Sequence, residues 1–502
     1  MKKAKKLISA LLGLCLTVSA FSAMPVNAKI DPLQGDVDGN GKFSLVDVVA
    51  VNRWLHNSSD FHDWRYEAYQ WKTADLNGDG IVNVIDLALM KRSLIETVKA
   101  LNPVLSATNL SKSVNSETVE GKELDEDFIL KQTEFYLNLM QKTAQDGANT
   151  LISPYSVVQA LAMTANGAQN QTLEEMQNVI GGGMPMEELN KYLYTQRTSQ
   201  PNEENCKLLT ANSIWCRDKL PYSDAPFLVK ESFLQKNKNF YNADIFTAPF
   251  DETTIDDINK WTNANTDKMI PKLINELNKS TVMCLINAVT FDAKWSDPYY
   301  DSYTRENWFT DANGTAQNAD ILYSEEHSYL SDEHSQGFMK YYEGGRYAFV
   351  GILPEEGMTT TEYLNTLTAD SLHNMLVNRS SERVITQIPK FSYDYSIELP
   401  DTLKEMGMPS AFEMFGADFH GMADLPEDNN LYISNVIHKT FIELNETGTR
   451  AAAATIVVMD VAAEAYDPQQ PKEVILNRPF VYYIVDTETN LPIFMGTVES
   501  LT

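Results

Sequence analysis

The sequence predicts an α+β domain built around large β-sheets, preceded by a small all-α module with two calcium loops. Two observations predict the large domain: helical apolar spacing dominates residues 125–181, and β-prone runs follow from 208 to 498. An acidic loop that occurs twice near the N-terminus predicts the small module. The 502 residues, 43% of them hydrophobic, are sufficient for one large and one small domain.

The first 28 residues have the composition of an export signal. Four lysines precede an apolar run from Leu7 to Val18, and small residues at Val26 and Ala28 suit a cut before Lys29. A membrane anchor would need about 20 uninterrupted apolar residues, and this run is shorter. We therefore expect a secreted, extracellular protein without a membrane span.

The rest of the composition excludes several function classes. A formal net charge of −29 argues against nucleic acid as a partner and favours solubility and cation binding. The sequence contains no G-x-S-x-G, no H-E-x-x-H, no glycine-rich phosphate loop and no cysteine cluster, so we expect no enzyme. A hydrolase with paired carboxylates is the most distant alternative. Cys284 lies in an apolar run and is predicted to be a core residue, while pairing of Cys206 with Cys216 is left open.

Residues 36–47 and 75–86 match each other position by position, with oxygen side chains at loop positions 1, 3, 5, 9 and 12. A glycine at position 6 allows a sharp turn, and position 7 supplies a main-chain carbonyl, which is the ligand set that Ca²⁺ prefers. The alternative is two Asx-rich surface turns. The proposed ligands of the two Ca²⁺ sites are Asp36, Asp38, Asn40, Lys42, Ser44 and Asp47, and Asp75, Asn77, Asp79, Ile81, Asn83 and Asp86.

Each loop is followed by a segment with helical apolar spacing, and neither is preceded by a full helix. Loop plus exit helix, repeated, with the sequence Asp-Leu-Ala-Leu-Met-Lys-Arg from Asp86, resembles a dockerin. The resemblance implies docking to a cohesin domain of a scaffoldin, on a cell-surface cellulosome. It assigns the dockerin to residues 31–98 and a linker, rich in Ser, Thr and Asn, to 99–122. The implied cohesin-binding residues are Leu45, Val46, Asn52, Arg53, Val84, Ile85, Lys91 and Arg92, of which the four aliphatic residues could instead pack within the module.

The large domain, 123–502, begins with predicted helices. Asp125 to Thr143 has helical apolar spacing, Ser153 and Pro154 form a helix start, and Thr172 with Glu175 forms a capping box before a helix that ends at Gly181. Strands are predicted at Leu208–Trp215, Val282–Phe291, Tyr347–Leu353, Val384–Phe391, Leu431–Leu444 and, in two pieces, Phe480–Val498.

The segment from Glu443 to Phe480 combines two patterns that exclude each other. Residues 451–459 would form a good buried strand, yet the polar residues that follow describe an exposed loop. The phrase Glu446-Thr-Gly-Thr-Arg-Ala-Ala-Ala-Ala resembles the reactive-loop hinge of the serpins, whose loop inserts into a β-sheet. Further phrases follow in family order: Ser153-Pro-Tyr-Ser, Asn212-Ser-Ile-Trp, Asn259-Lys-Trp-Thr, Thr266-Asp-Lys-Met-Ile, Asn287-Ala-Val-Thr-Phe-Asp-Ala-Lys-Trp, Pro389-Lys-Phe, Met406-Gly-Met, Ala417-Asp-Phe, His438-Lys, Asn477-Arg-Pro-Phe and Phe494-Met-Gly.

The serpin resemblance assigns roles to individual residues. It implies a hinge, a polar shutter that holds the main sheet closed, and a breach at Trp295 where insertion begins. His438 and Trp295 could also be ordinary core residues. The implied hinge residues are Glu446, Gly448, Thr449, Ala451 and Ala453, and the implied shutter residues are Ser153, Ser156, Asn287 and His438.

The resemblance also implies suicide inhibition, in which a serine protease cleaves the loop and is trapped when the loop inserts. Alternation along the hinge places small or apolar residues on one face, from Thr449 to Met459, and Arg450 on the other. Family spacing counted from Glu446 places the reactive bond between Ala462 and Ala463, with Val461, Ala463 and Tyr466 as alternative bait residues.

A small apolar residue such as Ala462 before the reactive bond predicts subtilisin- or elastase-like target proteases. The sequence therefore predicts a secreted protease inhibitor on a dockerin, which protects a scaffold-bound enzyme complex from proteolysis. The alternative is a non-inhibitory interaction protein with the same fold on the same scaffold.

Overall fold

The computed structural model describes residues 34–38, 43–56, 72–203, 205–219, 228–278, 281–299, 304–424, 431–449 and 470–501. They form two compact units, the first ending at Pro103 and the second beginning at Val104. No helix in these ranges is long and apolar enough to cross a bilayer. Several predicted features lie outside the described residues: the signal segment 1–28, Asn40, Lys42, Ala451, Ala453 and the reactive bond Ala462–Ala463.

The first unit contains the predicted loop-plus-helix repeat, with helices α1 (Leu45–Leu55) and α2 (Val84–Leu101). Both helices begin with a capping box, in which Ser44 pairs with Asp47 and Asn83 with Asp86. Apolar residues of the loops and helices form one small core, which consists of Val37, Phe43, Val48, Val51, Ala74, Val82, Leu87, Met90 and Leu94.

The described helices of the second unit are α3 (Glu126–Thr143), α4 (Pro154–Ala165), α5 (Asn170–Gly181), α6 (Met186–Thr198), α7 (Glu231–Tyr241), α8 (Glu252–Asn265), α9 (Thr360–Thr366), α10 (Ala369–Val377) and α11 (Pro400–Met406). Helix α5 begins at Asn170, so the predicted capping box at Thr172 is wrong. The carboxylate of Glu175 is instead used in a tertiary contact, because it accepts hydrogen bonds from the amide and the hydroxyl of Ser410, both at 2.8 Å.

The strands of the second unit are β1 (Thr108–Asn109), β2 (Thr150–Ile152), β3 (Asn202–Glu203), β4 (Cys206–Arg217), β5 (Leu228–Val229), β6 (Asp244–Ala248), β7 (Met283–Lys294), β8 (Thr304–Thr310), β9 (Ala316–Glu326), β10 (Tyr329–Ser331), β11 (Ser335–Tyr341), β12 (Tyr347–Pro354), β13 (Val384–Pro389), β14 (Phe391–Glu398), β15 (Ala423–Asp424), β16 (Asn435–Leu444), β17 (Gly448–Thr449), β18 (Lys472–Ile475), β19 (Phe480–Asp486) and β20 (Leu491–Val498).

These strands form three larger sheets and one two-stranded pair. The main sheet has the order β1-β6-β4-β7-β17-β16-β14, with β3 added beside β4. The inner sheet has the order β10-β11-β12-β19-β20-β2, the third sheet β18-β13-β9-β8, and β15 pairs with β5. The predicted α+β class with large sheets is thus confirmed.

Strand β7 is buried on both faces, which explains its nearly continuous apolar sequence. Leu285, Val289 and Phe291 face the large core, whereas Ile286 and Ala288 face a second cluster. This alternation is the period of two expected for a central strand. Asn287 interrupts the apolar series on the face toward the large core.

The segment after α2 differs from the predicted linker. β1 pairs with β6 at the edge of the main sheet, and the carboxylate of Asp257 accepts the amides of Ser106 and Ala107, both at 2.7 Å. Asn109 donates to Asp244 at 2.8 Å. Two main-chain amides and the Asn109 side chain therefore fix this segment to the domain.

Of the cysteines in the described ranges, Cys206, Cys216 and Cys284 are free and buried. Cys206 and Cys216 lie at the two ends of β4, roughly 33 Å apart at the rise of a strand, so they cannot pair with each other. Burial raises the pKa of each of these thiols to about 12. They are therefore unreactive core residues, like Cys284.

Candidate functional site

Strands β7 and β16 lie side by side at one end and apart at the other. Residues Cys284–Val289 pair in parallel with Asn435–Thr440. Beyond this ladder the strands diverge, and β17 lies in the gap, antiparallel to both: Thr449 pairs with Ala293 on one side and Leu444 on the other. The first residues of the predicted loop thus already lie within the main sheet.

The gap has no room for a side chain at Gly448 and buries the side chain of Thr449. A Cβ on Gly448 would lie 2.0 Å from the carbonyl oxygen of Ala293, so any side chain there requires the backbone to move. Thr449 is 1% exposed, and its hydroxyl is 2.5 Å from the hydroxyl of Tyr342. Thr449 therefore faces inward, which is the phase that the alternation of the hinge predicts.

A turn at residues 445–448, which we call the hinge turn, connects β16 to β17. The side-chain oxygen of Asn445 accepts the amide of Thr447 at 2.9 Å. Trp295 holds the turn through both its nitrogens, which donate to carbonyl oxygens of Thr447 and Asn445 at 2.9 Å each. The amide of Tyr299 donates to the carbonyl of Glu446 at 2.9 Å. Trp295 thus lies at the start of the loop, where it was predicted.

The carboxylate of Glu446 is held by a cation. Lys390 Nζ lies 2.9 Å from Glu446 and 3.4 Å from Asp320. Burial opposes the charge of Lys390, but the hydrogen bond and charge of Glu446 raise its pKa above the ordinary value. Lys390, between β13 and β14, thus connects the hinge turn to Asp320 on β9 of the third sheet.

The four predicted shutter residues come together across β7, β16 and α4. The amide of Ser153 donates to His438 Nε2 at 3.0 Å, so the neutral ring carries its proton on Nδ1, which faces Asn287. Asn287 donates to Ser156 at 2.5 Å and to Asn212 at 2.6 Å. His438 and Asn287 are register partners, so their hydrogen bond connects β7 directly to β16.

His438 is kept neutral. Burial in the core lowers the pKa of its imidazole from 6.5 to about 3, an effect that its hydrogen bond to Asn287 only partly offsets. A neutral ring with one donor and one acceptor is what this geometry requires. Protonation would add a second donor, and the amide of Ser153 would then lose its acceptor.

The first acidic loop brings three carboxylates together. The carboxylates of Asp36, Asp38 and Asp47 lie within 4.8 Å of one another. Asp86, which ends the second loop, accepts the amides of Leu76 at 3.0 Å and Asn83 at 2.9 Å. The ligand candidates that the structure describes are Asp36, Asp38, Ser44 and Asp47 in the first loop and all six in the second, Asp75, Asn77, Asp79, Ile81, Asn83 and Asp86.

The chemistry of these loops fits Ca²⁺, which prefers carboxylate and carbonyl oxygen ligands in a loop that can wrap around it. Gly80 at the sharp turn has φ +81°, a left-handed conformation that side chains disfavour. Its position is the sixth of the loop, as the motif requires.

The exposure of the aliphatic loop residues distinguishes the two predicted roles, which are contact with a cohesin and packing within the module. Val46, Val84 and Ile85 are 56%, 68% and 54% exposed, whereas Leu45 packs against the small core. Arg53, Lys91 and Arg92 are exposed, and Asn52 is half-buried. Three of the four aliphatic residues therefore lie on the surface, as the three basic residues do.

Two protein families match the chain. The model of the family Serpin (serine protease inhibitor) matches residues 130–501, and the model of the dockerin type I domain matches residues 34–95. The chain belongs to the serpin family. It carries an N-terminal dockerin type I domain.

Relatives and solved structures agree with this assignment. The serpin is 32% identical over 370 residues to an uncharacterized serpin-like protein of Thermococcus kodakarensis, covering 72% of this chain and 83% of the relative. It is 26% identical to Intracellular coagulation inhibitor 2 of Tachypleus tridentatus, covering 73% and 90%. The native state of tengpin, a thermophilic serpin, is similar with a TM-score of 0.75 and 43% identity, covering 79% of this chain and all of that one.

Sequence reasoning missed several residues of the serpin's site. Asn212, Tyr299, Tyr342 and Lys390 each contact the shutter, the hinge turn or Thr449 of β17. Asn212 and Lys390 lie in phrases that carry the family resemblance, so this signal was available. Tyr299 and Tyr342 are aromatic residues whose role emerges only from their packing.

Proposed function

We propose that this serpin inhibits a serine protease by inserting its cleaved loop between β7 and β16. The observation that carries the proposal is the position of Gly448 and Thr449, which fill the gap antiparallel to both strands. Continued insertion would exchange one parallel ladder of six residue pairs for two antiparallel ladders. Antiparallel pairing is the more stable per residue, and twice as many strand edges are paired.

The reaction begins as ordinary proteolysis. The protease serine attacks the carbonyl carbon of Ala462, the bond to Ala463 breaks, and the released amine takes up a proton. The chain ending at Ala462 remains as an ester on the serine. Trapping requires that insertion carry the protease away before water hydrolyses this ester.

The sequence of the loop is compatible with burial. Thr449 faces the core, and alternation continues this inward phase through small or apolar residues, which are Ala451, Ala453, Thr455, Val457 and Met459. Arg450 would face outward. This pattern supports inhibition over a non-inhibitory role, because a charge on the inward face would oppose insertion. The small bait residue supports subtilisin- or elastase-like targets.

The dockerin would place this inhibitor on a scaffold. Two Ca²⁺ ions would supply charge that draws the carboxylates of each loop together and orders the exit helices. The exposed residues Val46, Val84 and Ile85, with Arg53 and Lys91, would contact a cohesin domain. We infer secretion from residues 1–28, and protection of a cellulosome from proteolysis as the purpose.

Incubation of the mature chain with a subtilisin-like protease tests the inhibitory proposal. We expect a band at the summed mass on a denaturing gel, and a released peptide that begins at Ala463 by mass spectrometry. A trypsin-like protease serves as the control and should form little complex. Cleavage of the loop with free, active protease would instead support the non-inhibitory alternative.

A further inference from the structure

Lys340 is a charged residue in the core beneath the hinge turn. It lies on β11 and is 2% exposed, and its Nζ lies 2.7 Å from Glu326 Oε1. Glu326, 13% exposed, also accepts the hydroxyl of Ser324 at 2.7 Å. A buried charge is costly even when it is paired, so its presence at this position calls for an explanation.

The ammonium group of Lys340 lies against two aromatic rings. Its Nζ is 4.5 Å from the centre of the Tyr299 ring and 5.6 Å from that of Trp295. The two rings are 6.3 Å apart in an edge-to-face arrangement. Cation–π attraction is strongest where water is excluded, as it is here. The cation therefore holds the two rings in a fixed relation.

These two aromatic residues are the ones that hold the hinge turn. Main-chain amides of Trp295 and Tyr299 donate to the carbonyls of Thr447 and Glu446, both at 2.9 Å. Tyr342, stacked on Trp295 at 4.4 Å, contacts Thr449. The buried cation therefore contacts the same two residues whose amides hydrogen-bond to the hinge turn.

We propose that the Lys340–Glu326 pair is a positioning element for loop insertion. It fixes Trp295 and Tyr299 so that Gly448 and Thr449 stay in the gap between β7 and β16, where insertion starts. This inference rests on the inhibitory function proposed above. Lys340 and Glu326 do not touch the protease or the reacting atoms.

Stability alone does not explain the pair. Replacing a buried ion pair by neutral residues of similar volume is often neutral or stabilising, whereas removing one partner is strongly destabilising. The double variant Lys340→Met with Glu326→Gln should therefore fold with an unchanged or higher denaturation midpoint. Positioning and stability can thus be measured separately.

The first readout is the number of inhibitor molecules cleaved per protease molecule trapped. Insertion competes with hydrolysis of the ester, so this number reports a ratio of rate constants. We expect it to rise about tenfold in the double variant, because the cation–π contacts no longer hold the turn. Lys340→Arg keeps the cation and should restore the wild-type number to within about twofold.

The second readout is hydrogen exchange at the amides of Trp295 and Tyr299, which needs no protease. We expect about tenfold faster exchange in the double variant, with unchanged exchange at Leu285 in the preceding strand β7. This readout decides the inference even if the wild-type chain traps no protease, so failure of the proposed function is distinguishable from failure of this inference.

The matched control removes an ion pair from the adjacent position of β9. Arg383 pairs with Glu325 at 2.7 Å and both are half-buried. Arg383→Met with Glu325→Gln should leave both readouts at wild-type values. Unchanged exchange and trapping in the Lys340→Met and Glu326→Gln variant, or an equal change in the control, would overturn the inference.

Discussion

Acid should weaken this serpin through His438. The folded protein keeps the imidazole neutral down to a pKa of about 3, whereas the unfolded chain takes up a proton near 6.5. The contribution of His438 to stability is therefore complete above pH 6.5 and is lost as the pH falls toward 3. The slope is ~1.4 kcal/mol per pH unit, so we expect a loss of ~2 kcal/mol at pH 5.

Other buried groups contribute to the same pH range with the opposite sign. Burial raises the pKa of the Asp486 and Glu499 carboxyls, so acid favours their folded forms. The comparison must therefore be made against a variant that lacks only the imidazole. His438→Gln stays neutral, and its amide can replace part of the hydrogen bonding to Asn287 and Ser153.

The assay is urea unfolding followed by near-ultraviolet circular dichroism at pH 7.5 and pH 5. We expect the wild-type chain to lose ~2 kcal/mol more than His438→Gln over this interval, whatever the stability of the variant at pH 7.5. An equal loss in the two proteins would refute the argument, because it would mean that His438 does not remain unprotonated in the folded state.

Three further changes give sharp expectations. Gly448→Ala places a methyl group 2.0 Å from a backbone oxygen and should expel β17, at a cost of ~1–3 kcal/mol; protease trapping should fall at least fivefold, while Thr447→Ala retains it. Asp86→Asn removes a carboxylate that holds the second loop and should weaken Ca²⁺ binding by calorimetry, with the first loop unaffected. Asp257→Asn weakens two charge-assisted hydrogen bonds to residues 106–107 and should lower stability by ~2 kcal/mol, whereas the exposed neighbour Asp256→Asn should not.

The parts of the fold that the sequence predicted are those with strong local patterns. The continuous apolar run of β7 indicates burial on both faces, and the structure has it as a central strand. The duplicated acidic loops indicate the dockerin. The linker prediction for residues 99–122 did not anticipate the contacts of residues 106–109, because a segment with few apolar residues has the same composition whether it is free in solution or fixed by polar contacts to a neighbour such as Asp257.

The site was predictable to the extent that its residues lie in family phrases. Ser153, Asn287 and His438 were predicted together and lie together. The buried position of Lys340 could not be predicted from the sequence, because a single lysine in a strand is ordinarily a surface residue. Its carboxylate partner and its two rings come from other strands, and no local pattern connects them.

In the proposed mechanism, the polar shutter is the joint at which the main sheet would open and close. An unbroken apolar row on the inner face of β7 would interdigitate with the core across the join to β16, and separating the strands would expose it. Asn287 and His438 replace that packing with directional hydrogen bonds, all of which are satisfied when the sheet is closed. An inserting strand would break the direct bond between β7 and β16 at this point, while Ser156 would remain bonded to Asn287 and Ser153 to His438. The cost of opening is therefore concentrated in a few exchangeable bonds, while the closed sheet keeps a unique register.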